Sequence, residues 1–177
     1  MDKRIAIYPG TFDPFHNGHL DIVRRAARLF DKVIIVMADN SAKKERRWPA
    51  ALMEEAIAET IDAEIDAFSE MNRVFVLSSK GMTTAQFAVM HDACAIIRGI
   101  RTASDLDYEN AVCQGNKMLY PGNADKLEHV YLLSDGSMTY LSSSFVREMV
   151  RPDIPLQVLD KMVPRPIYEL IAREEYG

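Results

Sequence analysis

Two periods alternate along the chain. Short runs dense in β-branched and aliphatic residues, "RIAIY" (4–8), "KVIIVMA" (32–38), "RVFVLSS" (73–79), "ACAIIRG" (93–99) and "HVYLLSD" (129–135), read as buried parallel strands. The first is expected to stop at Pro9-Gly10 and the second at Asp39-Asn40. Between them Leu20, Ile22, Val23, Ala26, Ala27, Leu29 and Phe30 recur at helical spacing opposite Arg24, Arg25 and Arg28, which completes a βαβ unit. Further helical stretches fall near 49–68, 82–92, 104–119 and 143–150, and a C-terminal helix is predicted over about 155–174. Five strands with interleaved helices predict an α/β fold, a doubly wound five-stranded parallel sheet. No repeat, low-complexity tract or linker divides residues 1–177, so a single domain is expected.

Composition narrows this picture. With 177 residues, 48% of them hydrophobic, the chain can bury one substantial core. A net charge of −5 argues against a general nucleic-acid binder, so any phosphate binding must be local. Two basic spots exist, Lys43, Lys44, Arg46 and Arg47 in one and Arg98 with Arg101 in the other; a solvated loop explains the first equally well. Cys94 and Cys113 stand in neither a CxxC nor a Cys/His metal spacing, which argues against a disulfide framework or zinc site and fits a reducing compartment. No run of 18 apolar residues and no signal-like apolar segment occurs, so a cytoplasmic protein without membrane contact is expected.

In a doubly wound sheet, ligands bind beyond the carboxyl ends of the strands. "YPGTFDPFHNGHL" (8–20) occupies that place after the first strand, yet it contains neither GxGxxG nor GxxxxGK[ST]. Gly10 allows a close turn and Thr11 supplies a hydroxyl, while Gly18 and His19 put backbone N–H groups and an imidazole at a helix start, where an anion is favoured. His16 and His19, three apart, can face one phosphate. The same residues fit a helix cap or half of a metal site, although HxxH here lacks the Glu of HExxH and a third ligand. Ser142, Ser143 and Ser144 read on their own as an N-cap.

Four segments in register carry a family resemblance. "GTFDPFHNGHLDIVRRA" resembles the [HT]xGH signature of the nucleotidyltransferase superfamily and is most similar to the phosphopantetheine adenylyltransferase family. "NSAKK" (40–44) resembles that family's lysine loop, "IIRGIRTASDLDYEN" (96–110) its RGxR block and "YLSSSFVREMV" (140–150) its serine motif. Trp48 stands where the family often has Phe, and Met138 where an aromatic is usual.

The resemblance implies a Rossmann-like nucleotidyltransferase fold and transfer of AMP from ATP to 4′-phosphopantetheine, giving dephospho-coenzyme A and pyrophosphate without a covalent enzyme intermediate. By that analogy His19, Lys43 and Arg98 are catalytic. Thr11, Lys43, Thr84 and Arg98 would hold the acceptor. Thr11, Phe12, His16, His19, Gly99, Ile100, Arg101 and Glu109 would bind ATP, with Met138, Thr139, Tyr140, Leu141, Ser142, Ser143 and Ser144 closing over it. Mg²⁺ would arrive with ATP, with no protein side chains as ligands. A homo-oligomer, commonly a hexamer, and feedback by coenzyme A are also implied. The alternatives are a related enzyme acting on nicotinamide mononucleotide or glycerol 3-phosphate, and a catalytically silent nucleotide-binding domain.

Overall fold

The computed structural model describes residues 3–38, 46–65, 73–119 and 127–176. Its strands are β1 (Ile5–Gly10), β2 (Lys32–Met37), β3 (Val74–Ser78), β4 (Ala95–Ile100) and β5 (Glu128–Leu133). Interleaved with them are α1 (Asn17–Leu29), α2 (Ala50–Ile65), α3 (Thr84–Met90) and α4 (Ala103–Leu119), followed by α5 (Ser143–Met149) and α6 (Arg165–Tyr176). The sheet is wholly parallel in the order β3-β2-β1-β4-β5, so the chain reverses its direction of winding between β1 and β4.

Side-chain alternation divides the core between the two faces. Tyr8, Ile35 and Ile97 pack with α1, α2, α5 and α6 in the larger cluster, which includes Ile22, Met53, Val146 and Ile167. Ile7, Ile34 and Ile96 pack with Phe87 and Ala88 of α3 in the smaller one. The continuous apolar runs of β1, β2 and β4 follow from burial on both faces.

Two sequence expectations are corrected. β1 does not stop at Pro9-Gly10 but runs through them, with Pro9 opposite Val36 and Gly10 opposite Met37. Proline is tolerated because the β1–β4 ladder is confined to Ala6↔Ala95 and Ile7↔Ile96, so no partner on that side needs its missing N–H. The strands part there, and the parting creates the crevice of the site. The C-terminal helix expected over 155–174 is broken into a 3₁₀ turn (Leu156–Lys161) and α6. Pro164 disfavours helical geometry at Val163 and has no N–H to continue the ladder.

Candidate active site

A cavity of about 1080 Å³ opens where β1 and β4 part. Pro9, Gly10 and Thr11 form part of its lining, and Gly99 approaches from β4. A Cβ on Gly10 would stand 2.7 Å from the Phe12 ring, so only glycine lets the strand pass that ring. Phe12 has φ +45° and is buried, a costly backbone state held by its surroundings.

The histidines occupy the start of α1. His16 is the N-cap: the His19 backbone N–H donates to His16 Nδ1 at 3.3 Å, and the His16 N–H donates to His19 Nδ1 at 3.2 Å. Their rings stack with centroids 3.6 Å apart. Because each Nδ1 accepts, the hydrogen-bond network assigns the proton of each neutral ring to Nε2. Burial, aided by the Arg101 charge, pushes His16 down to about 3. Burial, then the neighbouring His16 and Arg101, pushes His19 well below the usual histidine range. Capping and ligand binding are therefore compatible: each Nδ1 caps the helix while Nε2–H remains as a neutral donor. Among the described residues no group of three or more His, Cys, Asp or Glu is placed to hold a metal.

Alternation along β4 sends Gly99 toward α1 and Arg98 toward α3 and α4. Arg98 Nη1 donates to the Pro9 carbonyl at 3.2 Å, bridging the parted strands. Its Nε lies 3.1 Å from Glu109 Oε2 of α4, but the two buried atoms are not aligned as a hydrogen bond. Thr84, at the start of α3, lines the same side of the cavity.

Arg101 is held more completely. Its Nε and Nη2 meet both carboxylate oxygens of Asp105 at 3.2 and 3.3 Å, while Nη1 donates to the Leu141 carbonyl at 3.3 Å. Asp105 also accepts from the backbone N–H groups of Arg101 and Thr102, and Thr102 Oγ1 accepts from the Asp105 N–H. This capping box fixes the start of α4 and the arginine together. Burial alone would raise the Asp105 carboxyl, but the Arg101 hydrogen bonds outweigh it and hold the group below its usual range.

The serine segment forms the opposing wall. Ser142 caps α5 by accepting from the Phe145 N–H at 3.1 Å, and Ser143 Oγ donates to the Pro14 carbonyl at 2.9 Å. Arg147 donates to the Asp13 carbonyl and, at 3.0 Å, to Ser144 Oγ.

Thus Thr11, Phe12, His16, His19, Thr84, Arg98, Gly99, Arg101, Glu109, Met138, Leu141, Ser142, Ser143 and Ser144 converge on one cavity. Ile100, Thr139 and Tyr140 do not line it. Ile100 is buried, Thr139 Oγ1 closes a turn onto the Gly136 carbonyl, and the half-exposed Tyr140 ring rests on Phe145. Lys43 lies outside the described residues. Arg46 and Arg47, which a solvated loop would also explain, are instead bonded into the cavity wall. Asp13, Asp105 and Arg147 were given no role in sequence, although Asp105 stands at the acidic position of the RGxR block and Arg147 is a cation one turn after the serines.

The cytidylyltransferase-like family profile matches residues 7–149. A phosphopantetheine adenylyltransferase of Desulforudis audaxviator is 35% identical over 98% of this chain and 96% of its own. One from Latilactobacillus sakei is 41% identical over 84% of this chain and 83% of its own. The Plasmodium falciparum nicotinic acid mononucleotide adenylyltransferase, solved with NaAD, superposes with a TM-score of 0.65 over 99% of this chain and 97% of that one. At 14% identity, that likeness establishes the fold. With the expected parallel sheet in place and three of the four motifs, all those among the described residues, gathered at its switch point, the chain belongs to the cytidylyltransferase-like family and, within it, to the phosphopantetheine adenylyltransferases.

Proposed function

We propose that the chain transfers the AMP of ATP to the phosphate of 4′-phosphopantetheine, forming dephospho-coenzyme A and pyrophosphate. The observation that carries this reading is the mutually capped His16–His19 pair, with its Nε2–H donors left for a cavity that also receives Arg98 and Arg101.

An acceptor phosphate oxygen forms the new bond to the α-phosphorus, and the bond from that phosphorus to the β-bridging oxygen breaks. Pyrophosphate carries away the electron pair, so no protein nucleophile is required. Catalysis then consists of alignment and charge stabilisation. His19 Nε2–H donates to the transferring phosphate without needing a protonated ring, and Thr11 lies between the two reacting groups. Arg98 holds the acceptor phosphate on the side of Thr84, where the planar guanidinium suits a bidentate contact, and the family pattern assigns Lys43 the same ligand. Gly99 and Arg101 lie along ATP, Glu109 adjoins it, and Met138 with Leu141 to Ser144 closes over it. Because the cavity offers arginines, neutral imidazoles and carboxylates already paired with arginine, a Mg²⁺ ion would be held by the ATP phosphates rather than by side chains and would supply neutralising charge for the pyrophosphate.

We also propose a cytoplasmic homo-oligomer, a hexamer on the family pattern, with coenzyme A competing for the site. Leu106 and Met118 are exposed apolar side chains on α4 that a second copy would cover. Among the described residues no helix is long and apolar enough to cross a membrane.

The test is pyrophosphate release from MgATP with phosphopantetheine, nicotinamide mononucleotide and glycerol 3-phosphate supplied separately. Release with phosphopantetheine alone is expected. Release with another acceptor keeps the chemistry and replaces the substrate; ATP binding without release from any identifies a silent nucleotide-binding domain.

A further inference from the structure

The C-terminal helix is tied to the cavity through one arginine. Arg47 Nε and Nη2 donate to the two carboxylate oxygens of Glu175, in the last turn of α6, at 2.8 and 2.9 Å. The same guanidinium donates through Nη1 to the Arg147 carbonyl and through Nη2 to the Val150 carbonyl, each at 3.0 Å, closing the end of α5. These bonds use four of its five N–H groups. The backbone of the same stretch grips the site loop: the N–H groups of Arg47 and Trp48 donate to the two Asp13 carboxylate oxygens at 3.1 and 3.3 Å. Arg147 returns to the Asp13 carbonyl, so the connections form a closed circuit.

An isolated ion pair with side chains 32% and 24% exposed would contribute little. This one is bidentate and is joined to two helix-end carbonyls, so its effect is geometric: it sets where α5 sits against the loop carrying Asp13. Arg147 and Ser144, which face the cavity from α5, inherit that position.

We propose that Arg47 and Glu175 are a positioning pair that aligns the Arg147–Ser144 wall with the polyphosphate of bound ATP. Neither residue needs to touch the nucleotide. The inference rests on the proposed adenylyl transfer only in taking ATP as the ligand of that wall, so it is read by binding as well as by turnover.

The experiment compares Arg47→Met, which keeps an unbranched side chain and removes the guanidinium, Glu175→Gln and their double variant with the full wild-type chain. The ATP dissociation constant is measured by calorimetry, the KM values for ATP and acceptor by pyrophosphate release, and the unfolding midpoint alongside. For Arg47→Met the ATP dissociation constant and KM should rise about tenfold, with kcat and acceptor KM within about twofold, as for loss of binding shared by ground and transition states. Glu175→Gln should give a smaller rise of the same kind, and the double variant should add nothing to Arg47→Met. Arg165→Met, which removes an exposed ion pair with Glu169 on the same helix, should leave both KM values unchanged. If Arg47→Met does not fold, the same split in Glu175→Gln decides. A lowered midpoint with unchanged ATP affinity, a parallel change in both KM values, or additive single effects would overturn the proposal. A wild-type chain that binds ATP but releases no pyrophosphate would end the adenylyl-transfer reading while leaving the pair testable by affinity; one that binds no ATP would end both.

Discussion

His16 and His19 lock one another in place: each backbone N–H donates to the other's Nδ1, and the rings stack at 3.6 Å. The arrangement has a consequence for stability. His16 falls to about 3 in the folded chain, against about 6.5 when unfolded, so between those values protons bind the unfolded chain and not the folded one. Acid must therefore destabilise the fold, with a slope of up to about 1.4 kcal/mol per pH unit for each such histidine. His16→Asn keeps a capping side chain and removes one titration. Urea unfolding at several pH values below 6.5 should show a shallower loss for the variant, and parallel slopes would refute the assignment.

Turnover tests the other half of the pair. His19→Ala should lower kcat by about 10²- to 10³-fold if its Nε2–H bonds mainly to charge developing in the transition state. Affinity for ATP should then change by less than about threefold. Equal losses in both would assign His19 to ground-state binding. Since His19 is neutral well below pH 6.5, the wild-type rate should show no limb near that pH from this residue.

Periodicity made the layered fold legible because β1, β2 and β4 are buried on both faces and α1 on one stripe. It also pointed to the end of β1, where the strands part. The break before α6 falls at Pro164, inside an apolar spacing that reads as helical across 155–174. In the site, most of the residues that line the cavity from its loops and helix starts lie in contiguous motifs and could be read locally. Their supports could not: Asp13 meets Arg147 across 134 positions and Arg47 meets Glu175 across 128, and such pairings exist only after folding. Capping and phosphate binding looked like rivals for His16 because a sequence does not reveal which ring nitrogen each would use.

Steric limits on the loop give a third prediction. A Cβ at Gly10 would meet the Phe12 ring at 2.7 and 2.8 Å, and that ring is buried. Gly10→Ala should therefore destabilise the chain by about 1–3 kcal/mol, the usual range for overpacking. Gly136→Ala, with nothing within 4 Å, should stay within about 0.5 kcal/mol of wild type. Equal urea midpoints for the two would show that the Phe12 loop yields.

Asp105 holds Arg101 through both carboxylate oxygens and through its backbone N–H. Asp105→Asn keeps the shape but removes the charge and one acceptor, releasing the guanidinium from its path to the Leu141 carbonyl. We expect kcat/KM for ATP to fall about tenfold, about 1.4 kcal/mol of transition-state binding. Initial rates at limiting ATP measure it, and an unchanged value would mean that the Leu141 contact alone suffices.

Arg98 and Glu109 make the opposite case, an ion pair poised to exchange. Their side chains are only 15% and 19% exposed, and the 3.1 Å approach of Nε and Oε2 lacks hydrogen-bond alignment. On the proposed role of Arg98, a phosphate dianion entering beside Thr84 would offer it a better-aligned partner, and Glu109 would compete with that anion. Glu109→Gln removes the competitor and leaves a partly buried guanidinium without its counter-charge, which should lower stability. Added phosphate then supplies the missing charge. The variant should unfold at a lower temperature than wild type and recover more of that loss as inorganic phosphate is titrated in, by the linkage between binding and stability. A thermal-shift series reads both effects. Identical phosphate responses in the two proteins would mean that Glu109 does not restrain Arg98, and that the pair is held apart by the fold rather than waiting for an anion.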